Sequence, residues 1–431
     1  MTPKILVLTV ESWNSKVGAN TFSSLLANYP ADCLANIYIR EELPDSLCCS
    51  RYFQISETRV IRSIFKRKVK TGREVNAFQQ MTESDTAILE ASQKLYNKNR
   101  KKRSFLKLFI REILWKLGKW HTPELDAYIQ SFKPDLIVFG MEGCIHFNRI
   151  CRHAVKLTGA KAVGYFWDDT FTYKQMPKNM GYKFLRFFKR KSLKKLSKYC
   201  QAFWAITEKT KQEADEFFEI DCQVLTKPID FVPGETFQAY QPQMPIQIVY
   251  TGNLLIGRFE AILAVSNALR RINAKGIQAV LDVYSGSYVP EEDRQKLSEY
   301  VRLKGVVSQA EVLRLQKEAD VLLFAEAMTG EHSQIARLSF STKLTDYFCS
   351  GKCILAVGAK NVAPMEYLAA EKAALCASTE EEIYEQLKVI TENPGEIVEI
   401  AGNAYRCGRE NHSREKIDKI VKQTFRNVLA N

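Results

Sequence analysis

The chain has no run of apolar residues long enough to cross a bilayer, and no signal peptide precedes Lys4. KILVLTV at the start reads as a first β-strand rather than the core of a leader. None of the eleven cysteines falls in a CxxC pair. Neither a disulfide framework nor a zinc site is therefore indicated, and buried free thiols in a reducing cytoplasm are expected. The five histidines are dispersed, with no Ser/His/Asp or Cys/His arrangement for nucleophilic catalysis. A GxxxxGKS/T phosphate loop is lacking, which argues against NTP hydrolysis. No GxGxxG follows the first strand, which argues against a dinucleotide oxidoreductase. No repeat of solenoid period is found. Acidic residues are also short: 49 stand against 62 Lys and Arg, a formal charge of +13.

With 431 residues, 46% apolar and 26% charged, the chain reads as a soluble globular protein of two domains. Its basic surplus calls for a polyanionic partner, and the location of that surplus narrows the choice. In the segment from Arg100 to Trp120, Phe105, Leu108, Phe109, Leu114 and Trp115 can share a helix face, while Lys101, Lys102, Lys107, Arg111 and Lys116 make the rest basic. The segment from Tyr182 to Tyr199 repeats the recipe with Phe184, Phe187 and Phe188. Basic amphipathic helices with aromatics on the apolar side suit the surface of an anionic membrane, so peripheral membrane contact is expected and nucleic acid is not.

From Lys4 onward strands alternate with helical patterns: KILVLTV, CLANIYI, DLIVFG, AVGYFW, AFWAIT and CQVLTKPID. That βα series implies a Rossmann-like parallel sheet. Gly18, in the loop after the first strand, offers a place for close backbone approach to a ligand. The region from about 44 to 120 breaks the alternation and reads as a basic helical insertion. Pro228, Pro233, Pro242 and Pro245 lie in a polar stretch, which places an interdomain linker at 232–245 between a first domain, 1–231, and a second βα series, 246–412. A last helix covers 413–431.

The stretch SFSTKLTDYFCSGKCILAVG, from Ser339 to Gly358, carries the most chemistry. Ser339, Ser341 or Thr342 can cap a helix that stops at Gly351, before a buried strand. A helix start with Lys343 in its first turn is an anion site suited to a diphosphate, and Asp346, one turn on, is placed for a ribose. Together with IVYTGNLLIGRFEAI (from Ile248) and LKGVVSQAEVLRLQKEADVLLF (from Leu303), this stretch resembles the donor-binding half of retaining GT-B glycosyltransferases, close to family four.

The resemblance implies two Rossmann-like domains facing across a cleft, often with the last helix crossing back to the first domain. It implies a sugar transferred from a nucleotide diphosphate to an acceptor hydroxyl with retention of configuration and without a metal at the diphosphate. Arg258 and Lys343 would hold the diphosphate, with Gly252, Asn253, Ser341 and Thr342 beside it, and Asp346 would take the ribose. Relatives place a second glutamate eight residues earlier, where this chain has Leu338. Glu326 and Glu331 are then the candidates for the sugar contact, with His332 a third. On the acceptor side, Asp168 and Asp169, at the end of a strand, can bind or deprotonate an acceptor hydroxyl; an Asp capping the following helix explains them equally well. The basic helices suit a lipid-linked or cell-surface glycan. The rival readings are a nucleotide-sugar epimerase of related fold and a non-catalytic basic membrane- or nucleic-acid-binding protein.

Overall fold

The computed structural model describes residues 2–15, 21–101, 104–175 and 179–430, with side chains except over 95–101. Gly18 lies outside the described residues. The chain divides into two compact units, one made of residues 1–225 with 418–431 and the other of 226–417.

Among the described residues unit 1 carries eight strands: β1 (Ile5–Thr9), β2 (Leu34–Tyr38), β3 (Arg51–Ile55), β4 (Gly72–Val75), β5 (Leu136–Gly140), β6 (Lys161–Phe166), β7 (Ala202–Ala205) and β8 (Cys222–Val224). They form one sheet in the order β4-β3-β2-β1-β5-β6-β7-β8, parallel except for the β3–β4 pair. β1, β2 and β5 are buried along their whole length, as expected of central parallel strands covered on both faces. The region expected to be a helical insertion is only partly helical: it supplies β3 and β4. Aromatics drive this, since Tyr52 and Phe53 of RYFQI point to opposite faces of the sheet and are both fully buried. β4 can close against β3 because Gly72 leaves room for the Phe53 ring, which a Cβ would meet at 2.6 Å.

Unit 2 carries β9 (Ile246–Thr251), β10 (Ala279–Tyr284), β11 (Val301–Gly305), β12 (Val321–Ala325), β13 (Cys353–Val357) and β14 (Leu375–Ala377) in an all-parallel sheet of order β11-β10-β9-β12-β13-β14. The segment 232–245 lies within this unit. Its prolines conceal two anchors, Phe237 and Tyr240, which pack on the unit 2 core. The Tyr240 hydroxyl donates to the Asp320 carbonyl at 2.6 Å and accepts from the Cys353 N–H at 3.1 Å. The last helix, Arg414–Ala430, returns to unit 1 from Asp418 onward. There Phe425 packs between Tyr29 and Trp204, and the Trp204 indole donates to the Thr424 hydroxyl at 3.1 Å.

The basic segments form helices, but the first has a different phase from the one its composition suggests. In the helix Phe105–Leu117, Trp115 is fully buried and stacks on His146 at 4.4 Å between ring centroids. Arg111 is turned inward to an ion pair with Glu57. Phe105 covers Gly181, and Phe109 meets Phe184 of the neighbouring helix Met180–Ser197. The solvent face instead carries Leu106, Ile110, Ile113 and Leu117, spaced as one helical stripe, with Leu117 64% exposed. Met180, Phe184, Phe187 and Phe188 of the second helix are exposed as well. No helix among the described residues is long and apolar enough to cross a membrane.

Candidate active site

In unit 2 the strand order reverses between β9 and β12, and open parallel sheets bind ligands outside the carboxyl ends of the strands at such a reversal. Polar groups converge there. Tyr250, the last residue but one of β9, is fully buried and donates its hydroxyl proton to the Asn253 carbonyl at 2.6 Å. Lys343 begins the helix Lys343–Ser350, and its Nζ donates to the Tyr250 hydroxyl at 3.2 Å, 4.5 Å from the ring centroid. Gly252, at φ +140°, admits the lysine: a Cβ there would stand 2.1 Å from Nζ.

Arg258 opens the helix Arg258–Ile272 after Ile256 and Gly257, both in the left-handed region. Its Nη1 donates to Asn253 Oδ1 at 2.9 Å and its Nη2 to Glu326 Oε1 at 2.9 Å, while its buried Nε has no partner. Glu326, one residue past β12, is buried. Burial, and then the charge of Arg258, pull the Lys343 amine down to about 8, and Glu326 offsets part of that. Two cations thus share one carboxylate in a partly desolvated pocket.

The structure brings together Gly252, Asn253, Arg258, Glu326 and Lys343. Thr342 is the N-cap residue but makes no side-chain cap bond, and the Leu344 N–H is taken by the Ser341 carbonyl at 3.0 Å. Asp346 is half-buried in the first turn, where burial raises its carboxyl pKa against the opposing charge of Lys227. Glu331 and His332 are exposed, and Leu338 is fully buried. Tyr250 escaped the sequence reading: nothing in IVYTGN distinguishes it from an ordinary core tyrosine.

No family model matches the chain, and no curated protein sequence matches it. Solved structures do. Anabaena HepE in complex with UDP aligns over 98% of this chain and 100% of its own, with a TM-score of 0.60 at 12% identity. Sucrose-phosphate synthase from Thermosynechococcus elongatus aligns over 99% of both chains with a TM-score of 0.59 at 12% identity. The α,α-trehalose 6-phosphate synthase of Burkholderia multivorans covers 100% of this chain and 99% of its own, with a TM-score of 0.60 at 11% identity. The fold is GT-B. At these identities the likeness carries the architecture, and the chemistry must come from the residues.

The first sheet of this GT-B fold has its own reversal, at β1 and β5. Three adjacent strands, β1, β5 and β6, each place a carboxylate two residues beyond their ends: Glu11, Glu142 and Asp168. Glu142 folds back over Gly140, where a Cβ would meet the Trp167 ring at 2.4 Å and Glu142 Oε1 at 3.0 Å. Burial, then the negative charges of Asp168 and Glu11, push the Glu142 carboxyl up to about 8. Glu11 is raised by burial in the same direction. Asp169 turns away from this row. It is buried, accepts the Thr172 N–H at 2.9 Å, and its carbonyl accepts from Arg186 at 3.1 Å, so it braces the loop; the following helix, Met180–Ser197, is capped by Asn179 and not by either aspartate.

A group whose folded pKa is raised makes the folded state bind more protons than the unfolded one between the two values. Stability contributed by protonated Glu142 is therefore present at pH 4.5 and is lost as pH rises towards about 8. Glu142→Gln should flatten that part of the melting-temperature curve and be more stable than the wild type by pH 9. Parallel curves for the two proteins would show that Glu142 titrates like an exposed carboxylate.

Proposed function

We propose that the chain is a glycosyltransferase that moves a sugar from a nucleoside diphosphate donor, held in unit 2, to an acceptor hydroxyl, with retention of configuration. One observation carries this reading. Arg258 and Lys343 together hold more positive charge than Glu326 balances, and Arg258 keeps a buried Nε donor unpartnered at the switch point of the sheet. A diphosphate satisfies that donor and both cations without a divalent metal. As the bond from sugar to diphosphate breaks, the growing charge on the leaving oxygens is what these groups stabilise. The acceptor hydroxyl passes its proton to the departing phosphate, on the face from which that phosphate leaves. Ser341, Thr342 and the first turn of the Lys343 helix add donors to the diphosphate, Asp346 accepts from the ribose, and Glu11, Glu142 and Asp168 bind acceptor hydroxyls. Glu326 acts as the brace of Arg258 and as the carboxylate that orients the sugar. HepE has been crystallised with UDP-glucose, which makes uridine donors the first to try.

The experiment is a thermal-shift screen of nucleotide sugars. A ligand at one hundred times its Kd adds about 2.7 kcal/mol of stability, so a true donor raises the melting temperature by several degrees. The shift should depend on both base and sugar. An equal response to every polyphosphate, inorganic pyrophosphate included, would sink the reading.

The acceptor, on this reading, is lipid-linked, and the protein works at an anionic membrane on the cytoplasmic side. The supporting feature is the exposed apolar stripe of the Phe105–Leu117 helix beside the exposed phenylalanines of Met180–Ser197, rimmed by Lys183, Lys191, Lys194 and Lys195. Lys191 already sits over the Phe187 ring at 4.5 Å. Each such lysine adds about 1 kcal/mol near an anionic bilayer, weakened by salt, and the inserted side chains add a salt-insensitive part. The protein should therefore sediment with vesicles containing anionic lipid and be partly released by salt. Replacing Ile110, Ile113, Phe184 and Phe187 with Ser should release the remainder and leave donor binding unchanged. Equal sedimentation with neutral vesicles, or none at all, would remove the membrane from the proposal.

A further inference from the structure

Two of the histidines that are far apart in the sequence meet in space. His121 lies in the turn before the helix Pro123–Phe132, Asp126 in the first turn of that helix, and His153 on the next helix, Ile145–Thr158. His121 Nε2 is 2.8 Å from Asp126 Oδ2, and His153 Nε2 is 2.6 Å from Asp126 Oδ1. The two imidazole centroids are 4.2 Å apart. Trp120 lies against both rings, at 5.6 and 5.8 Å. Among the described residues this is the one group of three His, Cys, Asp or Glu side chains whose ligand atoms all lie within 4.8 Å of one another.

We propose that His121, Asp126 and His153 form a zinc site, with water completing the tetrahedron. The donor set decides the class of metal. Two imidazole nitrogens and one carboxylate oxygen suit borderline first-row cations, zinc above all at ordinary availability, whereas calcium and magnesium need oxygen cages. The same nitrogen, Nε2, of each ring is directed at the carboxylate, so one cation can replace both Nε2–H···O contacts. On loading, each ring gives up its Nε2 proton and keeps or takes the proton at Nδ1; a ring already protonated releases one proton to solvent.

Ligands about 2.0–2.1 Å from zinc stand roughly 3.4 Å apart in a tetrahedron, so the imidazoles and the carboxylate part by roughly 0.6–0.8 Å from their present N···O contacts of 2.8 and 2.6 Å. His121 can supply that movement, because its side chain is 51% exposed and precedes the helix rather than lying inside it. The same exposure leaves the fourth position open to water. The Arg149 guanidinium is held over the Trp120 face at 5.3 Å, and Trp120 lies against both imidazoles, so that positive charge tempers the affinity. In place, the ion joins the Pro123–Phe132 helix to its neighbour within unit 1. It is independent of the donor site, whose residues all belong to unit 2.

The experiment is a zinc titration of the full chain, stripped of metal with EDTA, against a chromogenic chelator. One zinc should bind per chain and raise the melting temperature, with magnesium and calcium giving neither effect. His121→Ala should weaken that zinc by about 100-fold or more, since even outer-shell changes at zinc sites cost 10- to 100-fold. Its fold should survive, because His121 is exposed. Cobalt in place of zinc should give the visible absorption of a four-coordinate site in the wild type and lose it in His153→Ala. A zinc affinity that is the same in the wild type and in His121→Ala, or a wild type that binds no zinc, overturns the proposal.

Discussion

Lys343→Ala should lower sugar transfer by two orders of magnitude or more while leaving the protein folded. The lysine sits on Tyr250 at the switch point of the second sheet, with the Arg258–Glu326 ion pair beside it. A charge-assisted contact that strengthens as the diphosphate leaves is worth about 3 kcal/mol, which sets the size of the loss. Stability should change little, because the truncation also removes a partly buried ammonium whose desolvation is unfavourable. Arg258→Ala should match it in rate but cost more stability, because it strands the buried carboxylate of Glu326. A pH series separates a real anion contact from a packing defect. With its amine near 8 in the free protein, Lys343 loses its proton as pH rises above that value, and nucleoside diphosphate affinity should fall with it. In Lys343→Ala that dependence should vanish. Near-normal turnover in a folded Lys343→Ala protein would end its assignment.

Gly252→Ala should be almost as severe, and for a reason confined to one methyl group. The position has φ +140°, which side chains other than hydrogen tolerate poorly, and the new Cβ would lie 2.1 Å from Lys343 Nζ and 2.5 Å from its Cε. The lysine must leave Tyr250, and the diphosphate loses a cation without any change of charge in the sequence. Donor affinity should drop by about 100-fold, comparable with loss of the ammonium itself. The free protein should melt lower, by about 1–3 kcal/mol for the strained backbone. Isothermal titration with UDP and a thermal melt together test both halves. Unaltered UDP binding in this variant would show that Lys343 does not touch the diphosphate.

The strands of both sheets were largely readable because central parallel strands must be apolar on both faces, and runs such as CILAV and LIVFG have few other uses. β3 and β4 were obscured by the basic residues around them, which suggested solvent where Tyr52 and Phe53 make core. The phase of the Phe105–Leu117 helix was misjudged for a related reason. Aromatics look like the natural apolar face, yet Trp115 is taken up by His146 and the exposed stripe is aliphatic. At the switch point of the second sheet, Arg258, Lys343 and Glu326 could be named because each stands at the start of a helix or just past a strand. Tyr250 could not, since its role depends on a lysine ninety-three positions away. The row of Glu11, Glu142 and Asp168 needed the strand order itself: only adjacency of β1, β5 and β6 turns three unrelated acids into neighbours.

The return of the last helix to unit 1 sets an order of events during synthesis. Unit 2 is one continuous stretch, 226–417, whereas unit 1 needs residues made both before and after it. Domains generally fold as units while the chain emerges. The first 225 residues must therefore wait, with Trp204 and Tyr29 lacking their Phe425 cover, until the whole of unit 2 has left the ribosome. Unit 2 can finish first although it begins second. A chain truncated after Ile417 and released from the ribosome should hold a protease-resistant unit 2 beside a unit 1 that is still readily cut, and adding the residues through Ala430 should protect both.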